Sequence, residues 1–215
     1  MNKIYVIGIG FRPLGKKASY VVLKSDAVLA GVRLAEVFQQ YSEYEAVSDR
    51  IISHSTVYEM LDYIADNYQT KKIAVLAAGD PMFFGIGRLI IERLGKDAVE
   101  VHPDLSSVQV AFSRIGEVFN NALLLSLHGG PDPVKRRKLE HELADIPALC
   151  DKYNKLAILT DKVNNPAVIA DVLYSSLVTR HLSLKMYVCE RLGYPEERII
   201  SGTPEEIAGM EFREP

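Results

Sequence analysis

The chain has 215 residues, of which 48% are hydrophobic and 25% charged, with a formal net charge of −3. That balance is ordinary for a water-soluble globular protein, and it excludes the basic field of a nucleic-acid binder. No apolar run reaches membrane-span length, and the isolated Cys150 and Cys189 fit a reducing, cytoplasmic setting.

The opening MNKIYVIGIGF carries one lysine and no small-residue cleavage site, so it reads as a first strand and not a secretory signal. Further strands are expected at 26–30, 72–77, 98–102 and 122–128, after the first at 3–9. Between them Val57, Met60, Leu61, Ile64 and Tyr68 fall at helical spacing, and Thr56 with Glu59 has capping-box spacing. Ser106 and Gln109 offer a second such box before Val110, Ala111 and Phe112. Strands alternating with helices predict a largely parallel sheet covered by helices.

The segment GGPDPVKRRKL, 129–139, combines turn residues with the one dense basic cluster, Lys135 to Lys138, and reads as a linker. A helical pattern follows from about Leu139 to Tyr153, then a strand at 155–160. Asn165-Pro166 reads as N-cap and first helical residue, and further strands fall at 184–190 and 198–201. Thr203-Pro204-Glu205-Glu206 gives a capping box with proline at the first helical position. The expected organisation is an α/β domain over 1–128, a linker at 129–140 and a second α/β domain over 141–215, which shows no final strand after the Thr203 helix.

The stretch AVLAAGDPMFFGIG, 74–87, carries the most chemical information. A β-branched run stops at Gly79-Asp80-Pro81, and Gly85 and Gly87 open an amphipathic helix. Small ligands in open α/β sheets sit past such strand ends. Asp80 can accept hydrogen bonds from a ligand hydroxyl or amine, or it can cap the turn that follows it. Ser106-Ser107 can cap a helix or help bind an anion at its N-terminus. His128, after a strand, can act as a general base or as a structural polar group. Gly8-Ile9-Gly10 starts like a dinucleotide fingerprint, but position 13 is Pro and Gly15 comes too late. His54, His102, His141 and His181 lack ligand spacing, so no metal site is expected. Neither a G-x-S-x-G elbow nor a Walker loop is present.

Taken in order, VIGIG at 6–10, AGDPMFFGIG at 78–87, DLSSVQVAFSRIG at 104–116, LLSLHG at 124–129, LTDKVNNPAVIA at 159–170 and YVCERLGYPEERIISGTPEEIA at 187–208 resemble the tetrapyrrole (corrin/porphyrin) methylase family. Within it they resemble the branch that methylates a late precorrin at C5 in cobalamin biosynthesis. One loop departs from the family's G-x-G-P-G followed by Leu-Thr: here it runs Gly8-Ile9-Gly10-Phe11-Arg12-Pro13-Leu14-Gly15-Lys16-Lys17.

The resemblance implies a two-domain tetrapyrrole methylase fold, each domain a mostly parallel or mixed sheet flanked by helices. S-adenosylmethionine would lie in the cleft between them and leave as S-adenosylhomocysteine. It assigns cofactor contacts to Gly79, Asp80, Phe83, Ser106, Ser107, Leu127 and His128, with Thr160, Asp161 and Pro166 at the adenine. Phe11 and the first loop fall on the substrate side. Because the substrate is rich in carboxylates, Arg12, Lys16, Lys17, Arg88 and Arg114 are candidates to bind it. No dedicated nucleophile is required, since the sulfonium methyl is already activated and the protein's task is positioning. The implied partners are a precorrin or cobalt-precorrin, a second copy of the chain in a homodimer, and a C15 methyltransferase/decarboxylase. The altered first loop leaves a second reading open, a non-catalytic corrinoid- or cofactor-binding subunit that assists that separate C15 enzyme.

Overall fold

The computed structural model describes residues 3–129, 139–177 and 183–213. The chain divides into two compact units, Met1–Ser107 and Val108–Pro215. Most of the expected linker, residues 130–138 with the basic cluster, lies outside the described residues.

The first unit runs β1 (Ile4–Ile9), α1 (Lys16–Leu23), β2 (Ala27–Gly31), α2 (Val32–Phe38), α3 (Tyr44–Val47), β3 (Ile51–His54), α4 (Val57–Asn67), β4 (Ile73–Ala78), α5 (Ile86–Leu94) and β5 (Val99–His102). Its five strands form one sheet in the order β3-β2-β4-β1-β5, and every pairing is parallel. Side chains alternate across the sheet with period two. Ile7, Ile9, Val28, Ala30, Ala74 and Leu76 pack with Val21, Val22, Phe38 and Val47 from α1–α3. Ile4, Val6, Ala27, Leu29, Ile73 and Val75 pack with Met60, Ile64 and Ile90 from α4 and α5. Both faces are therefore covered, which is why these strands read as continuous apolar runs.

Strand order sets where a ligand can enter. The connections from β1 and from β2 carry the chain toward β3, and those from β3 and from β4 carry it back toward β5. The reversal falls between the neighbours β1 and β4, a topological switch point with a crevice at the carboxyl ends of the strands.

The next helix, α6 (Ser107–Ile115), begins on the last residue of the first unit, and the second unit continues through β6 (Leu123–Ser126), α7 (Ile146–Lys152), β7 (Leu156–Leu159), α8 (Pro166–Leu177), β8 (Met186–Glu190), β9 (Arg198–Gly202) and α9 (Pro204–Ala208). β6 pairs in parallel with β7, and β8 pairs antiparallel with β9. Thus β6, expected as the last strand of the first domain, is hydrogen-bonded to a strand beyond the linker segment. The expected helix from Leu139 starts later: a 3-10 turn at Leu143–Asp145 leads into α7, and a box between Glu142 and Asp145 satisfies the free N–H groups there.

Local capping chemistry explains the other helix starts. The Asn165 side chain accepts from the Val168 N–H at 3.1 Å. At α9 the Thr203 hydroxyl accepts from the Glu206 N–H, and the Glu206 carboxylate accepts from the Thr203 N–H at 2.7 Å. At α4 only half of the expected box forms: Thr56 accepts from Glu59, but the Glu59 carboxylate takes the N–H of Ser55. Thr203→Ala removes the hydroxyl that accepts from the Glu206 N–H but keeps the backbone N–H that donates to the Glu206 carboxylate, and is expected to cost about 1 kcal/mol in a denaturant melt.

Candidate functional site

Three loops meet at the switch point: the one after β1, the one after β4 and the one after β5. Their backbones touch. The Gly79 N–H donates to the Ile9 carbonyl at 2.8 Å, and the Asp104 N–H donates to the Gly79 carbonyl at 3.2 Å. Side chains would not fit here. A Cβ on Gly8 would lie 2.0 Å from the Gly79 oxygen and 2.4 Å from the Asp104 nitrogen. Gly79 has φ +59°, and its Cβ would lie 2.7 Å from the Leu105 oxygen and 3.5 Å from the Ser106 Cα. The structure thereby brings together Gly79 and Ser106, both predicted from sequence. Ser106 is buried, and Ser107 opens α6 directly after it.

Asp80 is half-buried and its Oδ1 accepts the Met82 N–H at 2.8 Å, while the Phe83 N–H donates to its carbonyl at 3.0 Å. It therefore holds the turn, one of its two expected uses. Oδ2 carries no hydrogen bond among the described residues and is free to accept one. Phe83 is half-buried and packs edge-on against Phe84, with ring centroids 4.8 Å apart.

Asp104 was not anticipated from the sequence, yet it organises the crevice. It is buried, and its carboxylate takes the N–H of Phe11 (2.8 Å), of Arg12 (3.1 Å) and of Leu105 (2.8 Å), together with Nε of Arg12 (2.6 Å). The N–H of Gly10 donates to the Tyr41 hydroxyl at 2.7 Å. Three successive N–H groups of the first glycine loop are thus spoken for by protein acceptors. Those three amides therefore form no open nest for a phosphate.

The remaining predicted cations are arranged differently. Lys17 Nζ lies 2.8 Å from Glu100 Oε1 and His102 Nε2 lies 3.1 Å from the same oxygen. The hydrogen bond from Lys17 holds the Glu100 carboxyl below its ordinary range. Lys16 is exposed and has no ion pair among the described residues. Arg88 pairs with Glu92, and Arg114 with Glu197 at 2.6 Å. An open hollow of about 230 Å³ lies beside the first loop, lined by Gly8, Arg12, Leu14, Gly15, His102 and Asp104 among others.

In the second unit a buried carboxylate again pins the loops after two neighbouring strands. Asp161 accepts the N–H of Gly129 (3.0 Å), Val163 (2.9 Å) and Asn164 (2.8 Å), and the Asn164 amide donates to the Leu127 carbonyl at 2.8 Å. The Leu127 side chain is fully buried in this unit's core with Leu125, Ile146 and Ile169. His128 is exposed, and its Nδ1 lies 3.4 Å from the Thr160 carbonyl. The tautomer that donates there leaves Nε2 as the proton acceptor. Burial pushes the thiols of Cys150 and Cys189 up, which keeps them protonated and poorly nucleophilic. Among the described residues no group of His, Cys, Asp and Glu is placed to hold a metal ion, and no helix is long and apolar enough to cross a membrane.

Residues 3–208 match the sequence profile of the Tetrapyrrole (Corrin/Porphyrin) Methylases. The probable cobalt-precorrin-7 C(5)-methyltransferase of Methanocaldococcus jannaschii is 26% identical over 217 residues, covering 97% of this chain and 93% of that protein. The cobalt-precorrin-7 C(5)-methyltransferase of Salmonella typhimurium is 29% identical across 90% of this chain and 87% of its own length. A decarboxylating precorrin-6Y C(5,15)-methyltransferase from Sinorhizobium sp is also 29% identical across 90% of the chain, but the match spans only 43% of that longer protein. Among solved structures, the precorrin-6Y methylase of Archaeoglobus fulgidus superposes with TM-score 0.68 at 20% identity, covering 99% of this chain and 93% of that one. The uroporphyrin III C-methyl transferase of Thermus thermophilus gives TM-score 0.68 at 21% identity, with 99% and 94% covered. At those identities the structural likeness is one of fold.

Proposed function

Since the chain belongs to the tetrapyrrole (corrin/porphyrin) methylases, we propose that it transfers a methyl group from S-adenosylmethionine to C5 of a late precorrin, precorrin-7 or its cobalt form, in cobalamin biosynthesis. The relatives that match nearly end to end bear that activity in their names. The observation that carries the reading is the meeting of Gly79-Asp80 with Ser106 at the switch point of the parallel sheet.

The donor set suits the cofactor. S-adenosylmethionine supplies an activated methyl group when bound, and it presents hydroxyls, an ammonium and a carboxylate to the protein. The open Oδ2 of Asp80 accepts a hydroxyl or ammonium proton. Ser106-Ser107, at the start of α6, suits a carboxylate through the positive end of the helix dipole. Phe83 gives an apolar wall. Gly8 and Gly79 act by letting three backbone segments close up so that these groups stand at fixed positions, and rate enhancement comes from that alignment. Arg12 and Lys16 give the carboxylate-rich macrocycle its counter-charge.

The same reading includes a cytoplasmic homodimer and a separate C15 methyltransferase/decarboxylase as functional partner, the second activity being part of the longer fused relative's name. The test combines two measurements. Incubation with cobalt-precorrin-7 and S-adenosylmethionine should yield a product heavier by one methyl group by mass spectrometry. Calorimetry with S-adenosylhomocysteine should show Asp80→Ala weakened by about tenfold, the size of a lost charge-assisted hydrogen bond. Unchanged affinity would remove Asp80 from the site, and S-adenosylhomocysteine binding without any methylated product would favour a non-catalytic subunit.

A further inference from the structure

We propose that Asp104 is a positioning residue for substrate recognition, one that makes the Nη edge of Arg12 a fixed receptor for a carboxylate of the tetrapyrrole. This rests on the methylation reading above.

The first loop has to hold its shape without the family's usual glycine-proline pattern. Pro13 and Gly15 are displaced in it, so its conformation depends on what its N–H groups bind. Asp104 supplies that from the loop after β5. Oδ2 takes the N–H of Phe11 and of Arg12, and Oδ1 takes Nε of Arg12 at 2.6 Å. The carboxylate is in turn fixed to its own segment through the Leu105 N–H, and its backbone N–H is fixed to Gly79. Loop, arginine and β4 turn are thus referenced to one buried group.

Because Asp104 engages Arg12 through Nε, the two Nη groups are left over. Neither has a hydrogen-bond partner among the described residues, and the Arg12 side chain is 55% exposed against 4% for Asp104. A guanidinium offers five donors in a rigid fork, and the edge that remains is suited to a bidentate carboxylate. Arg12 also lines the hollow beside the loop. With the amides of residues 10–12 already used, the arginine edge is the forked donor that this loop still offers an anion, beside the point charge of Lys16. Lys17 is drawn to Glu100 instead.

The test uses the intact protein with Asp104→Asn, Arg12→Ala, Arg12→Lys and the double variant Asp104→Asn/Arg12→Ala. Each variant is assayed with cobalt-precorrin-7 and S-adenosylmethionine, titrated with S-adenosylhomocysteine, and followed by amide hydrogen exchange. Asp104→Asn and Arg12→Ala should each raise KM for the macrocycle by about tenfold while kcat stays within about threefold, as expected for lost ground-state binding. Arg12→Lys should not restore KM, because an ammonium cannot replace the fork. The double variant should be no worse than Arg12→Ala, since the two act as one unit. S-adenosylhomocysteine affinity should hold. Asp104→Asn should speed exchange at Phe11 and Arg12.

Independent, multiplying KM effects would overturn the proposal, as would a loss of thermal stability or cofactor affinity with KM unchanged. Unchanged exchange at residues 11 and 12 would overturn the clamp. That exchange contrast does not depend on turnover, so a wild-type protein without methyl transfer would remove the methylation reading while exchange still judged the clamp.

Discussion

Gly8→Ala is expected to unfold the first unit or leave it severely weakened. The added methyl would sit 2.0 Å from the carbonyl oxygen of Gly79 and 2.4 Å from the nitrogen of Asp104. Both are backbone atoms of adjoining loops, so no rotamer change relieves the clash. Separating them breaks the hydrogen bond between Asp104 and Gly79 and carries the buried Asp104 carboxylate away from Phe11 and Arg12. Overpacking of this kind costs about 3 kcal/mol or more, a large share of the roughly 5–15 kcal/mol that holds a domain folded. Soluble yield and a circular-dichroism melt give the readout. Gly15→Ser in the same loop is the control. A Cβ there meets nothing within 4 Å, and the residue caps α1 with φ −66° and no side-chain bond. Serine is a favoured N-cap, so this variant should melt at or slightly above the wild-type midpoint. Equal behaviour of the two variants would show that the contact at Gly8 does not constrain the crevice.

The contrast between those glycines marks what one-dimensional pattern can and cannot carry. The β4-turn-α5 unit was readable because its cues are local: an apolar run, a Gly-Asp-Pro stop, then a helical period. The Thr203 box and the Asn165 cap were readable for the same reason, since each is completed within three residues. β3 was not found. It has only four residues, none of them fully buried, and lies at the sheet edge, so it shows neither an apolar run nor clean alternation. β6 was found as a strand, but its partner β7 follows the whole linker segment, and pairing over that distance leaves no local trace. Asp104 escaped notice because the Ser-Ser beside it already explained a helix start, whereas its own partners lie 92 and 93 residues away. Lys17 looked like a free cation because its partner Glu100 is brought near only when Tyr5 of β1 lies opposite Glu100 of β5.

The second unit should be as sensitive to one carboxylate as the first is to one glycine. Asp161→Ala strips the acceptor from the N–H groups of Val163 and Asn164 and one of the two acceptors of the Gly129 N–H, which also donates to the Leu127 carbonyl at 3.0 Å. The side chain is buried, with 5% of the residue exposed, so water does not readily replace it. Each buried donor left without a partner costs about 1–3 kcal/mol. With some relaxation of the loop a total of about 3 kcal/mol is expected. Asp161→Asn separates the contributions. Its amide oxygen can still serve Val163 and Asn164 from the Oδ1 position, while its NH₂ faces the Gly129 N–H in place of Oδ2. It should therefore lose about half as much in a denaturant melt. The damage should spread along the chain in a definite order. Asn164 is held by Asp161 and in turn holds the Leu127 carbonyl, so the His128-Gly129 segment loses one direct and one indirect support when Asp161 is truncated. Amide exchange at Gly129 should rise in both variants, and that at Val163 and Asn164 in the alanine variant only. Equal exchange and equal midpoints for alanine and asparagine would mean that these N–H groups find other acceptors, and that the Leu127-Gly129 segment owes its position to the leucine core and not to Asp161.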